Sequence, residues 1–363
     1  MLVHICCSVD SHFFLEKLQQ DFPDEKLIGF FYDPNIHPYS EYQLRFLDVK
    51  RSCQKLGIEL IEGEYDYQNW IEAVRGLEKE PEKGKRCAVC FDKRFIVSAK
   101  KALELGEKKF TTTLLVSPLK SQQQLKESGE AFYKETGIEF VAVDYRSNGG
   151  TQLQSQTTKE QQLYRQDYCG CLFGLTMQRE QQNRLMDEMF SPISNAILPA
   201  SIEERLALYT KRNELEEQNI SYKIIKEKFL NYRQFHFQLI KGKKEIIPAY
   251  ALSYSTLPRK KAQGRIEFQH QNIYYFNREE IVFIELKHFN HLAKTQFQTI
   301  KELIFHHLSY QEEQKVREFI FPSPYNLSPI IVVQDIKNIL DTKLTIQLNS
   351  KTYEDTKEKL IIL

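Results

Sequence analysis

Short β-branched and aromatic runs alternate with stretches of helical spacing through the first 145 residues, and this alternation constrains the fold more than any other feature. LVHIC (2–6), LIGFFY (27–32), IELIEG (58–63), KFTTTLL (109–115) and FVAVDY (140–145) read as strands, and 11–21, 41–57, 88–105 and 122–136 carry helical spacing between them. Such alternation predicts an α/β architecture, a parallel sheet with helices on both faces. Ligands in these folds bind at the carboxyl ends of the strands, where the crossover loops converge. HICCSVD (4–10) falls on that edge, with Cys6 and Cys7 where the first strand stops and the first helix is about to start.

The seven cysteines lie at 6, 7, 53, 87, 90, 169 and 171, so six of them fall into three close pairs. The start, MLVHICCSVDSHFF, lacks the basic region, apolar run and cleavage site of a signal peptide, and no later apolar stretch approaches the roughly 18 residues that span a bilayer. A cytoplasmic location without a membrane partner is therefore expected, and in that compartment clustered cysteines are metal ligands or redox groups rather than structural disulfides. Cys53 is the exception: Tyr42, Phe46, Val49, Cys53 and Leu56 share one helical face, which makes it a small buried hydrophobe.

The composition changes after YCGCLFGL (168–175). Residues 178–189 are rich in Gln, Arg and Glu, SPIS (191–194) breaks the pattern, and Ser201 with Glu204 forms a capping-box signature before another helix. From about 228 the chain reads as strands joined by polar turns: FHFQLIKGKKEIIPAYALSY, GRIEFQHQNIYYF and EIVFIELKHF. The expected organisation of the 363 residues is a catalytic α/β domain at 1–177, a helical connection at 178–225 and a mostly β accessory domain at 226–363, α+β in class. With 50 basic and 49 acidic side chains, no global field draws the chain to nucleic acid, so any such partner must meet local patches.

Cys87 and Cys90 in RCAVC form a C-x-x-C, a spacing compatible with zinc, an iron–sulfur cluster or a dithiol. Together with Cys6 and Cys7 they make four sulfurs. Neighbouring side chains of a strand point to opposite faces, so two adjacent cysteines reach one small tetrahedral ion only if the backbone turns there, and the set favours a cluster over zinc. Gly170 lets Cys169 and Cys171 face one target, as a strained disulfide, a second metal site or further cluster ligands. Asp10 is either an oxygen ligand to a second metal or a plain helix cap. Other polar loops gather at strand ends and offer His37, Ser117, Lys120, Tyr164 and Arg165.

HICC, FYDPNIHPYSEYQLR, RCAVCFDKR, FTTTLLVSPLK and LYRQDYCGC, in that order, resemble the successive motifs of the QueH-type epoxyqueuosine reductases over about residues 1–175. The resemblance implies a Rossmann-like domain of the adenine-nucleotide α-hydrolase or PP-loop group with the phosphate loop replaced by metal ligands, and no S-G-G-x-D-S stretch occurs here. It implies reduction of epoxyqueuosine to queuosine at the wobble position of tRNA, the last step of queuosine biosynthesis. It also implies a 4Fe-4S cluster on Cys6, Cys7, Cys87 and Cys90, with Cys169 and Cys171 as a redox pair or, with Asp10, as ligands to a second metal such as a mononuclear iron. Many relatives read C-C-x-P-C where this chain has Val9 and Asp10, a departure that suits the second-metal reading.

Turning an epoxide into an alkene consumes two electrons and two protons and releases water, so a cluster passing single electrons needs two deliveries or a neighbouring redox centre. The partners expected are a tRNA anticodon loop carrying epoxyqueuosine and an electron donor that the sequence does not identify, with His37, Lys120 and Arg165 as substrate-binding candidates and Asp10 or Tyr164 as a proton relay. In the second domain Arg259, Lys260, Lys261 and Arg265, near Tyr250 and Tyr254, offer an RNA-gripping loop. The competing readings are a PP-loop-like tRNA thiolation enzyme, which would need ATP, and a non-catalytic zinc-bound nucleic-acid-binding module.

Overall fold

The computed structural model describes residues 1–117, 121–190, 197–277, 280–306, 308–323 and 326–363. Lys120 and SPIS (191–194), singled out above, lie outside the described residues. The chain divides into two compact units, one formed by Met1–Met189, Arg205–Ile224 and Leu360–Leu363, the other by Phe190–Glu204 and Ile225–Lys359. Residues 178–225, expected as a single connection, thus contribute to both units. No helix among the described residues is long and apolar enough to cross a membrane.

The first unit is built on five parallel strands, β1 (Leu2–Ile5), β2 (Ile28–Phe31), β3 (Glu59–Glu62), β4 (Lys109–Thr112) and β5 (Glu139–Phe140), ordered β3-β2-β1-β4-β5. Its helices are α1 (Ser8–Asp21), α2 (Tyr39–Leu56), α3 (Tyr67–Ala73), α4 (Lys85–Glu104), α5 (Gln122–Thr136), α6 (Gly150–Glu160) and α7 (Leu172–Gln181). Every residue of β1 is buried, as a central parallel strand covered on both faces requires. Strand order reverses at β1, whose neighbours β2 and β4 lead to opposite edges of the sheet. The crevice for a ligand therefore opens where Cys6 and Cys7 follow Ile5.

All five strands are shorter than expected, β4 and β5 by the most. The Thr112 hydroxyl accepts from the Leu114 amide and turns Thr113–Val116 into a 3-10 helix, so β4 ends at Thr112. With β4 cut short, β5 keeps only Glu139 and Phe140 in the ladder.

Helix α8 (Ile202–Glu217) starts after Ser201, whose hydroxyl accepts from the Glu204 amide at 3.1 Å; the Glu204 carboxylate takes the Ala200 amide instead of closing the box on Ser201. Within the first unit, α8 is tied to α2 by ion pairs from Arg212 to Asp48 at 2.6 Å and from Arg51 to Glu216 at 2.6 Å.

The second unit carries more helix than its sequence suggests. Strands β6 (Tyr222–Lys241), β7 (Glu245–Ile247), β8 (Ala249–Ala251), β9 (Lys261–Gly264), β10 (Ile266–His270), β11 (Ile273–Phe276) and β12 (Ile281–Glu285) precede α9 (Leu286–Ala293), α10 (Ile300–Phe305) and α11 (Tyr310–Ile320), followed by β13 (Ile330–Val333) and β14 (Leu344–Ile362). EIVFIELKHF, read as one strand, breaks into helix at Leu286. One sheet is mixed, in the order β10-β11-β12-β13-β8 with β12 parallel to β13; the other runs β7-β6-β14-β9. Strand β13 shows the two-residue period directly: Ile331 and Val333 enter one apolar cluster, Ile330 and Val332 another.

Candidate metal and redox site

The chain turns at the cysteine doublet. Cys7 is the N-cap of α1 with extended backbone (φ −164°, ψ 160°), and the Cys6 and Cys7 sulfurs lie 3.8 Å apart. Adjacent cysteines are expected to reach one small ion only where the backbone turns, and about 3.8 Å is the spacing of two thiolates on a tetrahedral ion with bonds near 2.3 Å, so this pair can share one ion as well as serve a cluster. Asp10 is not the cap but the third residue of the helix, buried, with Oδ2 4.0 Å from the Cys6 sulfur and Oδ1 accepting from Gln154 Nε2 at 2.8 Å. The donor atoms of Cys6, Cys7 and Asp10 all lie within 4.8 Å of one another, so the group can hold a metal ion.

The other two pairs converge on the same place. Gly84 caps α4, whose first turns carry Cys87 and Cys90, and the Lys83 amide donates to the Cys87 sulfur at 3.3 Å. Gly170 adopts φ +97°, a conformation that favours glycine, and this bends the chain so that Cys171 can cap α7. A cavity of 140 Å³ is bordered by Cys6, Asp10, Cys87, Cys90, Cys169 and Cys171. No disulfide links any of the seven cysteines in this structure.

The hydrogen bond with Cys6, then burial and the Asp10 charge, push the Cys7 thiol well up, and the hydrogen bond with Cys169 followed by burial does the same to Cys171. On Cys7 the Arg45 charge works in the opposite direction. Cys53, buried in α2 away from this set, is pushed up to about 12 by burial alone, in keeping with a packing role.

Three buried arginines, Arg45, Arg86 and Arg94, also border the cavity. Burial opposes the charge on Arg94, but Asp33, Cys90 and Cys6 outweigh it and hold the guanidinium protonated. Arg94 pairs with Asp33 and reaches His4 Nε2 at 3.3 Å. His4, kept neutral by burial and by Arg94, spans Thr112 Oγ1 at 2.8 Å and the Tyr32 carbonyl at 3.1 Å. Arg86 Nη1 gathers the carbonyls of Leu77, Glu78 and Glu80, which fixes the loop leading into α4.

The remaining expected residues are placed unevenly. Ser117 borders the cavity, and Arg165 borders an adjoining groove of 190 Å³ that shares Asp10, Ser117 and Gln166 with it. The His37 ring stacks on Tyr67, with centroids 4.9 Å apart, and is not among the cavity residues. The Tyr164 hydroxyl donates to Glu41 at 2.8 Å, and Tyr164 does not border the cavity either. Sequence reasoning passed over Trp70, Asn35 and the three arginines; Arg86 and Arg94 sit inside RCAVCFDKR, where two arginines beside two cysteines were the available signal.

A relative from Helicobacter pylori described as epoxyqueuosine reductase QueH is 38% identical over 351 residues, which cover 92% of this chain and 94% of the relative. The chain belongs to the epoxyqueuosine reductase QueH family. Residues 1–177 match the family itself, described as Epoxyqueuosine reductase QueH. The QueH of Acinetobacter baylyi is 38% identical over 176 residues, 48% of this chain and 80% of that protein. The QueH of Thermotoga maritima is 33% identical over 183 residues, 50% of this chain and 92% of the relative. About half of this chain thus accounts for nearly all of the T. maritima protein, whereas the H. pylori similarity runs through the second unit as well. Among solved structures, the tRNA thiolase NcsA of Methanococcus maripaludis with its 4Fe-4S cluster gives a TM-score of 0.32 at 12% identity over 59% of this chain and 72% of that one, too distant to bear on fold or metal.

Proposed function

We propose that this chain is an epoxyqueuosine reductase that converts epoxyqueuosine in tRNA to queuosine. The observation that carries the reading is the convergence of three cysteine pairs and Asp10 on one cavity at the carboxyl edge of a parallel sheet, in a chain of the QueH family. The donor set suits a metal: soft sulfurs with one carboxylate, buried, and compensated by arginine charge. Cys6, Cys7, Cys87 and Cys90 would hold a 4Fe-4S cluster, and Cys169 and Cys171 would act as a redox dithiol or, in the alternative reading, join Asp10 as ligands to a second iron. A cluster bound there would supply single electrons.

The chain's own groups match the stoichiometry. Oxidation of the Cys169 and Cys171 thiols to a disulfide releases two electrons and two protons, the number that an epoxide consumes in becoming an alkene and water. An external donor then restores the dithiol. The Asn35 amide donates to the Cys169 carbonyl at 3.4 Å and the His37 amide to the Gly170 carbonyl at 2.9 Å, so the DPNIHP loop holds the pair in position. His37, Lys120 and Arg165 remain the candidates for holding the nucleoside, and the cytoplasm is the compartment in which such thiols stay reduced.

The second unit is the candidate grip for the tRNA arm. Arg259, Lys260, Lys261 and Arg265 are exposed, and Arg259 and Lys261 border a groove of 690 Å³. Tyr250 is half-buried in β8, and its hydroxyl donates to Glu313.

The test is an anaerobic assay on epoxyqueuosine-containing tRNA with metal quantified in the same preparation. Queuosine formation with about four or more irons per chain is expected; one zinc per chain and no product would overturn the reading.

A further inference from the structure

The chain has one tryptophan, and its indole N–H is stranded. Trp70 is fully buried in α3, its ring stacked against Phe173 with centroids 6.2 Å apart, and it packs in one apolar cluster with Val74, Cys90 and Cys171. It borders the cysteine cavity, yet Nε1 has no acceptor. A buried tryptophan N–H almost always finds a partner, and leaving one unmade costs about 1–3 kcal/mol. Arg86 Nε and Asn35 Oδ1, on two further cavity residues, are stranded in the same way. Unpaired polar atoms gathered around one cavity mark groups whose partner arrives with a ligand.

For Trp70 the surrounding chemistry selects that partner. Cys90 and Cys171, one from each of two cysteine pairs, share its cluster. A protonated thiol is a weak acceptor, whereas a sulfur bound to a metal carries the negative charge that attracts an N–H.

We propose that Trp70 Nε1 donates a hydrogen bond to a cysteine sulfur of the metal centre and so raises its reduction potential. Trp70 is a positioning residue in this role, acting on the metal through the sulfur. The inference rests on the metal reading above. The bond strengthens as the centre gains an electron and negative charge, so it favours the reduced state.

A single tryptophan makes the test direct. Protein labelled with 15N in its tryptophan has one indole resonance, followed before and after anaerobic iron reconstitution, and the midpoint potential is titrated in wild type, Trp70→Phe and Val74→Ala. The resonance should acquire a hyperfine shift on loading. Trp70→Phe should load the same iron with a potential lower by about tenfold in the reduction equilibrium, about 59 mV for one electron. Val74→Ala, which alters the packing of the same cluster without removing an N–H, should leave the potential in place. An unmoved indole resonance, an unchanged Trp70→Phe potential, or an equal shift in Val74→Ala overturns the proposal, even if substrate KM changes. Wild-type protein that takes up no iron overturns both this and the cofactor reading.

Discussion

Arg45 in α2 donates from Nη2 to the Tyr168 carbonyl at 3.0 Å, and its guanidinium carbon lies 5.3 Å from the centre of the Tyr168 ring. Its Nε also meets the buried Glu41 carboxylate at 2.7 Å, so one side chain anchors the YCGC segment to the helix. Arg45→Ala would take the cation from the buried Glu41 carboxylate, leaving it the Tyr164 hydroxyl, and would release Tyr168. Loss of about 3 kcal/mol is expected from denaturant unfolding, with faster alkylation of Cys169 and Cys171 in the folded protein. Unchanged stability and thiol kinetics would remove the anchoring role.

Gly170 separates the two cysteines at φ +97°, and a Cβ there would sit 2.8 Å from Ile36 Cγ1. Gly170→Ala should cost about 1–3 kcal/mol in stability. Reductase activity should fall more than tenfold as the two sulfurs lose their shared direction. A stable and fully active variant would show that the turn geometry is dispensable.

Removing one sulfur from the C-x-x-C isolates the metal question. Anaerobically reconstituted Cys87→Ala should lose iron–sulfur absorbance and activity together, while Cys53→Ala, at a packing position in α2, should keep both. Retention of both properties in Cys87→Ala would exclude Cys87 from the ligand set.

The first unit should weaken on the acid side through Glu216. Burial works against its charge, but bidentate hydrogen bonds from Arg51 and one from Tyr222 prevail and hold its pKa at about 2 instead of 4.5. A depressed carboxylate contributes stability that is fully present above pH 4.5 and is lost as pH falls toward about 2. Thermal unfolding followed across that window should show a declining Tm in wild type and a shallower decline in Glu216→Gln. Parallel profiles would mean that the pair contributes nothing.

If the basic loop of the second unit holds tRNA, its contribution must carry a salt signature. Arg259→Glu with Lys261→Glu removes two cations, so the slope of log affinity against log salt should shrink by about 1.8 for duplex contacts or about 1.4 for single-stranded ones. An unchanged slope assigns the loop to solvent.

The alternation of apolar runs made the sheet of the first unit legible, and the same logic put Cys6 and Cys7 at its functional edge. Strand ends were less legible, because the Thr112 hydroxyl turns the chain through a side-chain hydrogen bond that periodicity does not record. In the second unit IELKHF kept strand-like composition across a boundary where Leu286 and Phe289 turn into the core as a helix. Arg94 and Trp70 escaped notice for a different reason. Their meaning lies in partners far along the chain, Asp33 for the arginine and Cys171 for the tryptophan, and a linear reading of spacing does not bring those together.

The link from Ile5 at the end of β1 to Ser8 at the start of α1 is two residues long, and both residues are cysteines. Loops elsewhere in a fold can drift in length while chemistry is kept on neighbouring positions. Here a two-residue connection and the chemistry occupy the same two letters, so a single inserted or deleted residue would at once swing the first helix about the sheet and tear two sulfurs from Asp10. Frame-preserving insertions scanned along residues 1–20 should therefore find their least tolerated point between Cys6 and Cys7.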